Sequence, residues 1–293
     1  MLGDRNWKAP PSDYLVGFDG RFRIANAPTG PSGKVDEAAV DDERRERTHA
    51  IGELQRKLYA ENRHAALFVF QAMDAGGKDS TIRNVFTGVN PAGFQVSPFG
   101  VPSAEELDHD FLWRISRRLP ERGRIGVFNR SHYEEVLIVR VHPGLLAPQR
   151  LPNHDPEAIW SQRYESIRNF EKHLAESGTI IVKFFLHVSR DEQRDRLLRR
   201  IDRPSKNWKF NPRDVQERTL WPEYMRAFED ALNATSRPWA PWYAIPADSK
   251  PYMRLQVARI VQQTLEGLDL AFPTLDDEAR QALAECRAVL ERQ

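Results

Sequence analysis

Short apolar segments that alternate with helical patterns are the feature that most constrains the fold of this chain. Four such segments lie at residues 65–71, 124–129, 179–188 and 241–247, and a shorter candidate strand lies at residues 93–99. Continuous apolar runs of this length are typical of strands that are buried on both faces of a parallel sheet. Helical periodicity predicts helices at residues 48–64, 104–119, 156–176, 213–233, 251–267 and 276–291. This alternation predicts an α/β fold in which helices flank both faces of a parallel sheet.

The composition of the chain narrows the partners and the location that we expect. A net charge of +1, from 43 basic and 42 acidic side chains, gives no global attraction for nucleic acid or membranes. An anionic ligand must therefore be bound by local clusters of Arg and Lys. No apolar run approaches the roughly 18 residues that cross a bilayer, and the N-terminus lacks a signal-peptide pattern. With a single cysteine, Cys286, we expect a soluble cytoplasmic protein with no nucleic-acid or membrane partner.

The segment QAMDAGGKDSTI follows the first apolar run and is close to a Walker A phosphate-binding loop. Ala72 replaces the first glycine of that motif, and an aspartate separates its lysine from its serine. Between a strand and a helix, such a loop binds phosphate through free N–H groups of the helix N-terminus. Asp74 would repel phosphate unless a divalent cation lies between them, so it predicts Mg²⁺. The predicted phosphate-binding residues are Ala75, Gly76, Gly77, Lys78, Asp79 and Ser80. The alternative is an ordinary glycine turn.

A second polar cluster follows the apolar run at residues 124–129. Asn129 occupies the usual place of the Walker B carboxylate, and Arg130 comes next. Because strand ends of doubly wound sheets converge on one crevice, we expect Arg130 to face the transferred phosphoryl group. Asn129 could orient a metal-bound water. Glu134 opens the following helix, where it either belongs to the site or only favours the helix dipole.

An arginine-rich segment at residues 189–214 carries nine basic and five acidic side chains. Its first half is predicted to be helical, and two prolines interrupt its second half. In a phosphoryl-transfer fold this pattern predicts a lid that closes over an anionic substrate, at about residues 189–222. The candidate lid and nucleotide contacts are Arg199, Arg200 and Lys206. The alternative is a solvated helix with surface ion pairs.

Five stretches together resemble the type 2 polyphosphate kinase family over roughly residues 45–265. They are AMDAGGKDSTI, FNRSHYEEVLIVRVHP, RIDRPSKNWKF, ERTLWPEYMRAFEDALNATS and APWYAIPADSK. The resemblance implies a P-loop kinase-like (thymidylate-kinase-like) α/β fold with a helical lid. It also implies reversible phosphoryl transfer between inorganic polyphosphate and AMP, ADP or ATP, with Mg²⁺ or alternatively Mn²⁺. Many family members have Asp where this chain has Asn129, and FNRSHYE is more similar to the branch that accepts both AMP and ADP.

The resemblance further implies roles for individual residues. Asp74 corresponds to the metal-binding carboxylate, Lys78 to the phosphate clamp and Arg130 to a cation that stabilises the transition state. Arg199 and Arg200 correspond to lid contacts. A homodimer or homotetramer is the expected assembly.

Polyphosphate requires a groove lined by cations, and we expect Arg83, Arg117 and Arg118 to contribute to it. We expect residues 1–45 to form an N-terminal arm and residues 46–293 to form the kinase domain. Two other functions remain as alternatives. One is an ATP-dependent nucleoside monophosphate kinase, which a regular Walker A motif would indicate. The other is a non-catalytic protein that binds polyanions or RNA.

Overall fold

The computed structural model describes residues 7–152 and 155–293, and these residues form a five-stranded parallel sheet. Its strands are β1 (Ala65–Gln71), β2 (Phe94–Pro98), β3 (Ile125–Asn129), β4 (Thr179–His187) and β5 (Trp242–Pro246). Their spatial order is β2-β3-β1-β4-β5, so β1 lies in the centre between β3 and β4. β1, β3, β4 and β5 each fall within one of the four apolar runs, and β2 falls within the candidate segment at residues 93–99. The predicted α/β fold with a parallel sheet is therefore confirmed.

Helices cover both faces of this sheet. In the described residues they are α1 (Glu37–Glu61), α2 (Lys78–Val85), α3 (Ala104–Leu107), α4 (Trp113–Ser116), α5 (Ile138–Val141), α6 (Ile159–Glu176), α7 (Arg190–Asp202), α8 (Pro212–Glu217), α9 (Trp221–Thr235), α10 (Lys250–Glu266) and α11 (Asp277–Leu290). Phe185 of β4 stacks on Phe228 of α9, with ring centroids 4.3 Å apart, and α6 packs beside α9. The preceding side chain, Phe184, packs against Phe68, which contacts Phe86 at the end of α2. Because successive strand side chains point to opposite faces, α2 lies opposite α9, together with α10 and α1. None of these helices is both long and apolar enough to span a membrane.

An extended N-terminal segment covers the outer edge of β5. The backbone N–H of Val16 donates to Trp242 O at 2.9 Å, and that of Ala244 donates to Tyr14 O at 2.8 Å. These bonds satisfy backbone groups that an open sheet edge would expose. The first six residues of the predicted arm lie outside the described residues.

Helix α1 begins earlier than the predicted end of the arm at residue 45. The side chain of Asp36 accepts hydrogen bonds from the backbone N–H groups of Ala38 and Ala39, which caps the helix. The first turns of α1 are rich in Arg, Asp and Glu, which form ion pairs three and four residues apart, such as Arg45–Asp41 at 2.8 Å. These first turns have no apolar periodicity, so the sequence pattern revealed α1 only from residue 48 onward.

The predicted continuous helix at residues 104–119 is wrong. The chain forms the two short helices α3 and α4, separated by a turn in which Asp110 Oδ1 accepts the backbone N–H of Leu112 at 2.9 Å. Aspartate side chains compete in this way with the helical hydrogen-bond ladder. Arg117 and Arg118 consequently do not lie on the face of one continuous helix.

The segment predicted as a lid consists of α7, a 3₁₀ helix (Pro204–Lys209) and α8. Pro204 and Pro212 each stand in the first turn of a new helix, where the missing N–H costs no hydrogen bond. The predicted helix at residues 213–233 is likewise divided, because Pro222 lies in the first turn of α9.

Candidate functional site

The carboxyl ends of the parallel strands border a strongly cationic cavity of about 560 Å³. The part of the chain that the structure describes contributes ten basic side chains to its wall: Lys78, Arg83, Arg130, Arg196, Arg199, Arg200, Lys206, Lys209, Lys250 and Arg254. The acidic side chains in this wall are Asp74 and Asp79. Ligands of doubly wound folds bind at this edge of the sheet. Such an excess of positive charge fits a large polyanion.

The loop between β1 and α2 lines this cavity and requires small residues. A Cβ atom on Gly76 would lie 2.6 Å from Ala72 Cβ and 2.8 Å from Met73 O, so a larger residue would clash. Gly77 has a φ of +106° and Ala75 a φ of +60°, both in the left-handed region. Gly77 is the residue before α2, so the free N–H groups of the helix N-terminus lie beside the cavity.

Lys78 is the first residue of α2, and its side-chain ammonium folds back into the loop between β1 and α2. Its Nζ donates to the carbonyl oxygen of Ala72 at 2.8 Å, and the residue is 9% exposed. Burial lowers the pKa of Lys78, and the nearby Arg130 lowers it further, while Asp74 opposes both. A buried ammonium whose charge is incompletely compensated gains stability when an anionic phosphate binds beside it.

Arg130 and Asp74 form an ion pair at the centre of the site, with Arg130 Nη2 and Asp74 Oδ1 2.9 Å apart. Arg130 follows β3 directly, with a φ of +64°, and its backbone N–H donates to Phe70 O at 3.0 Å. Burial opposes the guanidinium charge, but Glu134 and Asp74 outweigh this effect and raise the pKa of Arg130. Arg130 is therefore a permanent cation held between two strand ends.

Oxygen donors for a metal ion lie beside this pair. Asn129 Nδ2 donates to Asp79 Oδ1 at 2.7 Å, which brings the end of β3 to the start of α2. Throughout residues 7–152 and 155–293, no three His, Cys, Asp or Glu side chains form a group that could hold a metal ion by themselves. Mg²⁺ often binds one or two protein carboxylates and completes its coordination with water and substrate phosphates. Asp74 and Asp79 fit an ion of this kind that binds together with phosphate.

A second cavity, of about 230 Å³, shares the Asp74–Arg130 pair with the first. Its wall combines acidic with apolar and aromatic side chains, among them Glu134, Asp214, Glu217, Val101, Leu137, Ile138, Tyr224 and Phe228. Burial raises the pKa of the Glu134 and Asp214 carboxyl groups. The hydroxyl of Tyr224 donates to Glu217 Oε2 at 2.6 Å. This mixed lining suits a compact ligand with an apolar ring system better than a long polyanion.

Arg196 connects the predicted lid to the phosphate loop. From α7, its guanidinium donates to Ala75 O and Gly76 O, each at 3.1 Å, and to Ala247 O at 2.5 Å. It is also paired with Glu192 at 2.8 Å and is 4% exposed. Arg196 therefore holds α7 against the loop through backbone carbonyls, a contact that the sequence did not reveal.

The candidate lid residues reach the cavity with their charges partly paired. Arg199 lies 2.7 Å from Glu192, and Arg200 lies 3.1 Å from Asp214. Lys206, in the 3₁₀ helix, is exposed at the rim. Arg199 is 43% exposed, and exposed ion pairs are weak, so this arginine can exchange its carboxylate for a phosphate at little cost. The Arg200–Asp214 pair is more buried, so breaking it costs more.

Most of the predicted phosphate-binding residues come together in the first cavity, but two do not. Arg83 and the loop residues from Ala75 to Ser80 line it. Arg117 and Arg118 are absent from the described residues of its wall. Arg117 instead lies over the Trp113 ring and 3.6 Å from Glu105.

Lys250 and Arg254 belong to the cavity and were missed in the sequence. Both lie at the start of α10, four residues apart, directly after the last strand. Burial and the cations Arg196 and Arg199 lower the pKa of Lys250 to about 8. Burial, together with Arg44 and Arg83, lowers the pKa of Arg254. The sequence did offer a signal for them, because a pair of basic residues four apart begins a helix just after a strand.

Comparison with known proteins gives a consistent result. The family model described as polyphosphate kinase 2 matches residues 34–272. The chain is 54% identical over 248 residues to an ADP-polyphosphate phosphotransferase of Rhodopseudomonas palustris, covering 84% of this chain and 86% of that protein. It is 44% identical over 280 residues to an AMP/ADP-polyphosphate phosphotransferase of Meiothermus ruber, covering 93% and 99%. The crystal structure of polyphosphate kinase 2 from Arthrobacter aurescens superposes with a TM-score of 0.85 at 37% identity, covering 97% of this chain and 99% of that one.

Proposed function

The chain belongs to the polyphosphate kinase 2 family, and from this membership we propose that it transfers a phosphoryl group from inorganic polyphosphate to ADP and to AMP. The observation that carries the proposal is the pair of cavities that meet at Asp74 and Arg130. One cavity is cationic and suits a polyphosphate chain, and the other has a mixed lining that suits a nucleotide. A phosphoryl group that passes between the two substrates has to cross the place where they meet.

We propose that the donor site recognises polyphosphate by its negative charge and not by the shape of particular groups along it. Polyphosphate carries a regular series of negative charges, which Lys and Arg side chains at several positions can neutralise at once. Lys78 and the α2 N-terminus would hold the phosphoryl group that is transferred. Lys206 and Lys209 from the lid, together with Lys250 and Arg254 from α10, would hold the following phosphates.

The transfer itself is proposed to rest on positioning and charge neutralisation. Phosphoryl transfer has a loose transition state with charge on the equatorial oxygens, so fixed cations such as Lys78 and Arg130 stabilise it. The terminal phosphate oxygen of ADP or AMP is already nucleophilic at neutral pH, so no protein base is assigned. Asp74, with Asp79 and Asn129 nearby, would hold Mg²⁺, which neutralises phosphate charge when it is bound.

Both acceptors are proposed because Asn129 stands where many family members have Asp. Of the two relatives named above, one is named for ADP and the other for AMP and ADP. We also propose that residues 189–222 act as a lid, with Arg199 and Arg200 exchanging Glu192 and Asp214 for phosphate on closure. A homodimer or homotetramer and a cytoplasmic location stay predictions.

A direct assay tests the proposed function. Purified protein is incubated with Mg²⁺, long-chain polyphosphate and either ADP or AMP, and the nucleotides are separated by ion-exchange chromatography. We expect ATP from ADP, and ADP followed by ATP from AMP. A parallel reaction with ATP as the only donor and AMP as acceptor is the control for a nucleoside monophosphate kinase. Transfer from ATP alone, or from neither donor, would contradict the proposal.

Lys250→Met is expected to remove much of the pH dependence of polyphosphate binding. The pKa of Lys250 in the free protein is about 8, so its ammonium is charged at pH 7 and loses its charge as the pH rises through 8. The wild-type KM for polyphosphate should therefore rise by about 10-fold between pH 7 and 9, since a charged hydrogen bond contributes about 1.5 kcal/mol. The variant should already have the higher KM at pH 7 and change little. Lys172→Met, at an exposed lysine of α6, is the matched control. Equal pH profiles for Lys250→Met and wild type would exclude this role.

A further inference from the structure

A buried polar network lies beneath the segment that follows β3. The Nζ of Lys183, in the middle of β4, donates to Glu171 Oε2 at 2.5 Å, to the hydroxyl of Tyr133 at 2.8 Å and to Thr235 O at 3.0 Å. The Tyr133 hydroxyl donates in turn to Glu171 Oε1 at 2.8 Å. Lys183 and Tyr133 are 0% exposed and Glu171 is 1% exposed. All three ammonium protons and the hydroxyl proton are thus used.

Stability alone does not account for this network. Removing two charges from water is costly, and apolar residues that pack equally well often give the same or greater stability. Lys183 stands inside a strand whose neighbouring residues are apolar and buried. Burial by itself raises the pKa of the Glu171 carboxyl, but Lys183 and His132 outweigh this effect and lower the pKa. The carboxylate therefore stays ionised and remains a strong acceptor for Tyr133.

Tyr133 is three residues after Arg130, on a segment whose backbone needs support. Arg130 has a φ of +64°, a conformation that a non-glycine residue keeps only where its surroundings hold it. On one side, the backbone N–H of Arg130 donates to Phe70 O, and Gln71 Nε2 donates to Ser131 Oγ at 3.2 Å. On the other side, the hydroxyl of Tyr133 bonds to Lys183 of β4 and Glu171 of α6, and the ring packs on Trp242 of β5. The adjacent His132 Nε2 lies 3.4 Å from Glu171 Oε1.

We propose that Tyr133, held by the buried Lys183–Glu171 pair, is a positioning residue that keeps the Arg130 guanidinium between the two cavities. The inference rests on the proposed function, because it needs Arg130 to act on the transferred phosphoryl group. The network contacts neither substrate. It connects the fixed position of β4 and α6 to the turn that carries Arg130, and the phenol of Tyr133 is its directly hydrogen-bonded link.

Tyr133→Phe tests the proposal, because it keeps the ring and removes the hydroxyl that joins the turn to the network. We expect kcat for ATP formation to fall by about 10-fold, since small displacements of a positioned group are costly, while KM for polyphosphate changes by less than about 2-fold. Tyr243→Phe is the matched control. Tyr243 is also 0% exposed and loses one hydrogen bond, to Pro10 O, but lies away from Arg130. It should lower the melting temperature less than Tyr133→Phe does, because one bond to a carbonyl is lost and not two bonds to charged groups, and it should leave kcat unchanged.

A double-mutant cycle separates positioning from a general structural effect. If Tyr133 acts through Arg130, adding Tyr133→Phe to Arg130→Ala should lower kcat by less than about 2-fold more. An equal loss in both backgrounds, or no loss of kcat in Tyr133→Phe, would overturn the proposal. If Tyr133→Phe does not fold, the double variant Lys183→Met/Glu171→Leu, which replaces the buried pair with apolar side chains and leaves no unpaired charge, goes through the same cycle. If the wild type is active but the variants give one of the contradicting outcomes, only the positioning role fails. If the wild type is inactive, the proposed function and this inference fail together.

Discussion

Arg130→Ala is expected to lower kcat for polyphosphate-dependent ATP formation by about 10³-fold or more, the loss that removal of a transition-state arginine causes in other phosphoryl-transfer enzymes. Arg130 lies 2.9 Å from Asp74 and lines both cavities, so its charge is placed where the donor and acceptor meet. KM for polyphosphate should rise much less, because many other cations of the donor cavity remain. The measurement is steady-state kinetics with polyphosphate and ADP, each varied separately.

Arg226→Ala is the matched control for this experiment. Arg226 is an exposed arginine of α9 that forms only a long ion pair, at 3.4 Å, with Glu223 among the described residues. Its loss should change kcat by less than about 2-fold, as expected for an exposed ion pair. If Arg130→Ala kept more than a tenth of the wild-type kcat, Arg130 would have no part in stabilising the transition state.

Lys78→Met is expected to lower kcat/KM by about 10²–10³-fold, the effect of removing one preorganised donor from a developing negative charge. The methionine keeps the length and most of the volume of the side chain, so the loop can remain closed. The charge on Nζ and its hydrogen bond to Ala72 O are lost. Kinetics should show the loss, and binding of polyphosphate measured by calorimetry should weaken only in part.

The stability of Lys78→Met should not decrease. In the wild type, burial and Arg130 lower the pKa of Lys78, which means that the folded protein holds this charge at a cost. Removing the charge removes that cost, so the melting temperature should stay the same or rise slightly. Lys172→Met, at an exposed lysine, serves as control for both measurements. Retained activity would remove Lys78 from the mechanism, and a large fall in melting temperature would show that its role is structural.

Four of the strands could be predicted from the sequence because each is an apolar run with polar ends, whereas β2, at the edge of the sheet, is mostly exposed and left a weaker signal. The buried sheet requires apolar residues on both faces, and this requirement leaves a continuous signal of five to nine residues. The helices were less predictable wherever polar side chains determine the backbone. The first turns of α1 are held by Asp36 and by surface ion pairs, and Asp110 separates α3 from α4. Neither effect produces an apolar period.

The site was predictable where a recognisable motif follows a strand and where basic residues cluster in the arginine-rich segment. Asp74, Lys78 and Arg130 are within a few residues of the ends of β1 and β3, and parallel strands bring those ends together. Their catalytic roles stay predictions. Arg117 and Arg118 were placed in the donor groove because a continuous helix was expected there, and that helix does not form. Lys250 and Arg254 were missed although they follow β5 closely, because no phosphate-binding motif marks that strand end.

The sequence by itself determined the parallel sheet, the phosphate loop and the family, because these depend on short stretches whose residues act on their own neighbours. The tertiary structure decided how the charges are shared. Within the described parts of the chain it joined ten cations from several elements into one cavity and placed Asp74 and Arg130 between that cavity and a second one. It also placed the Tyr133 hydroxyl against a lysine buried in β4. Coulombic and hydrogen-bond energies depend on distances of a few ångströms between residues far apart in the chain. The packing of helices on the sheet, and not the order of the residues, sets those distances.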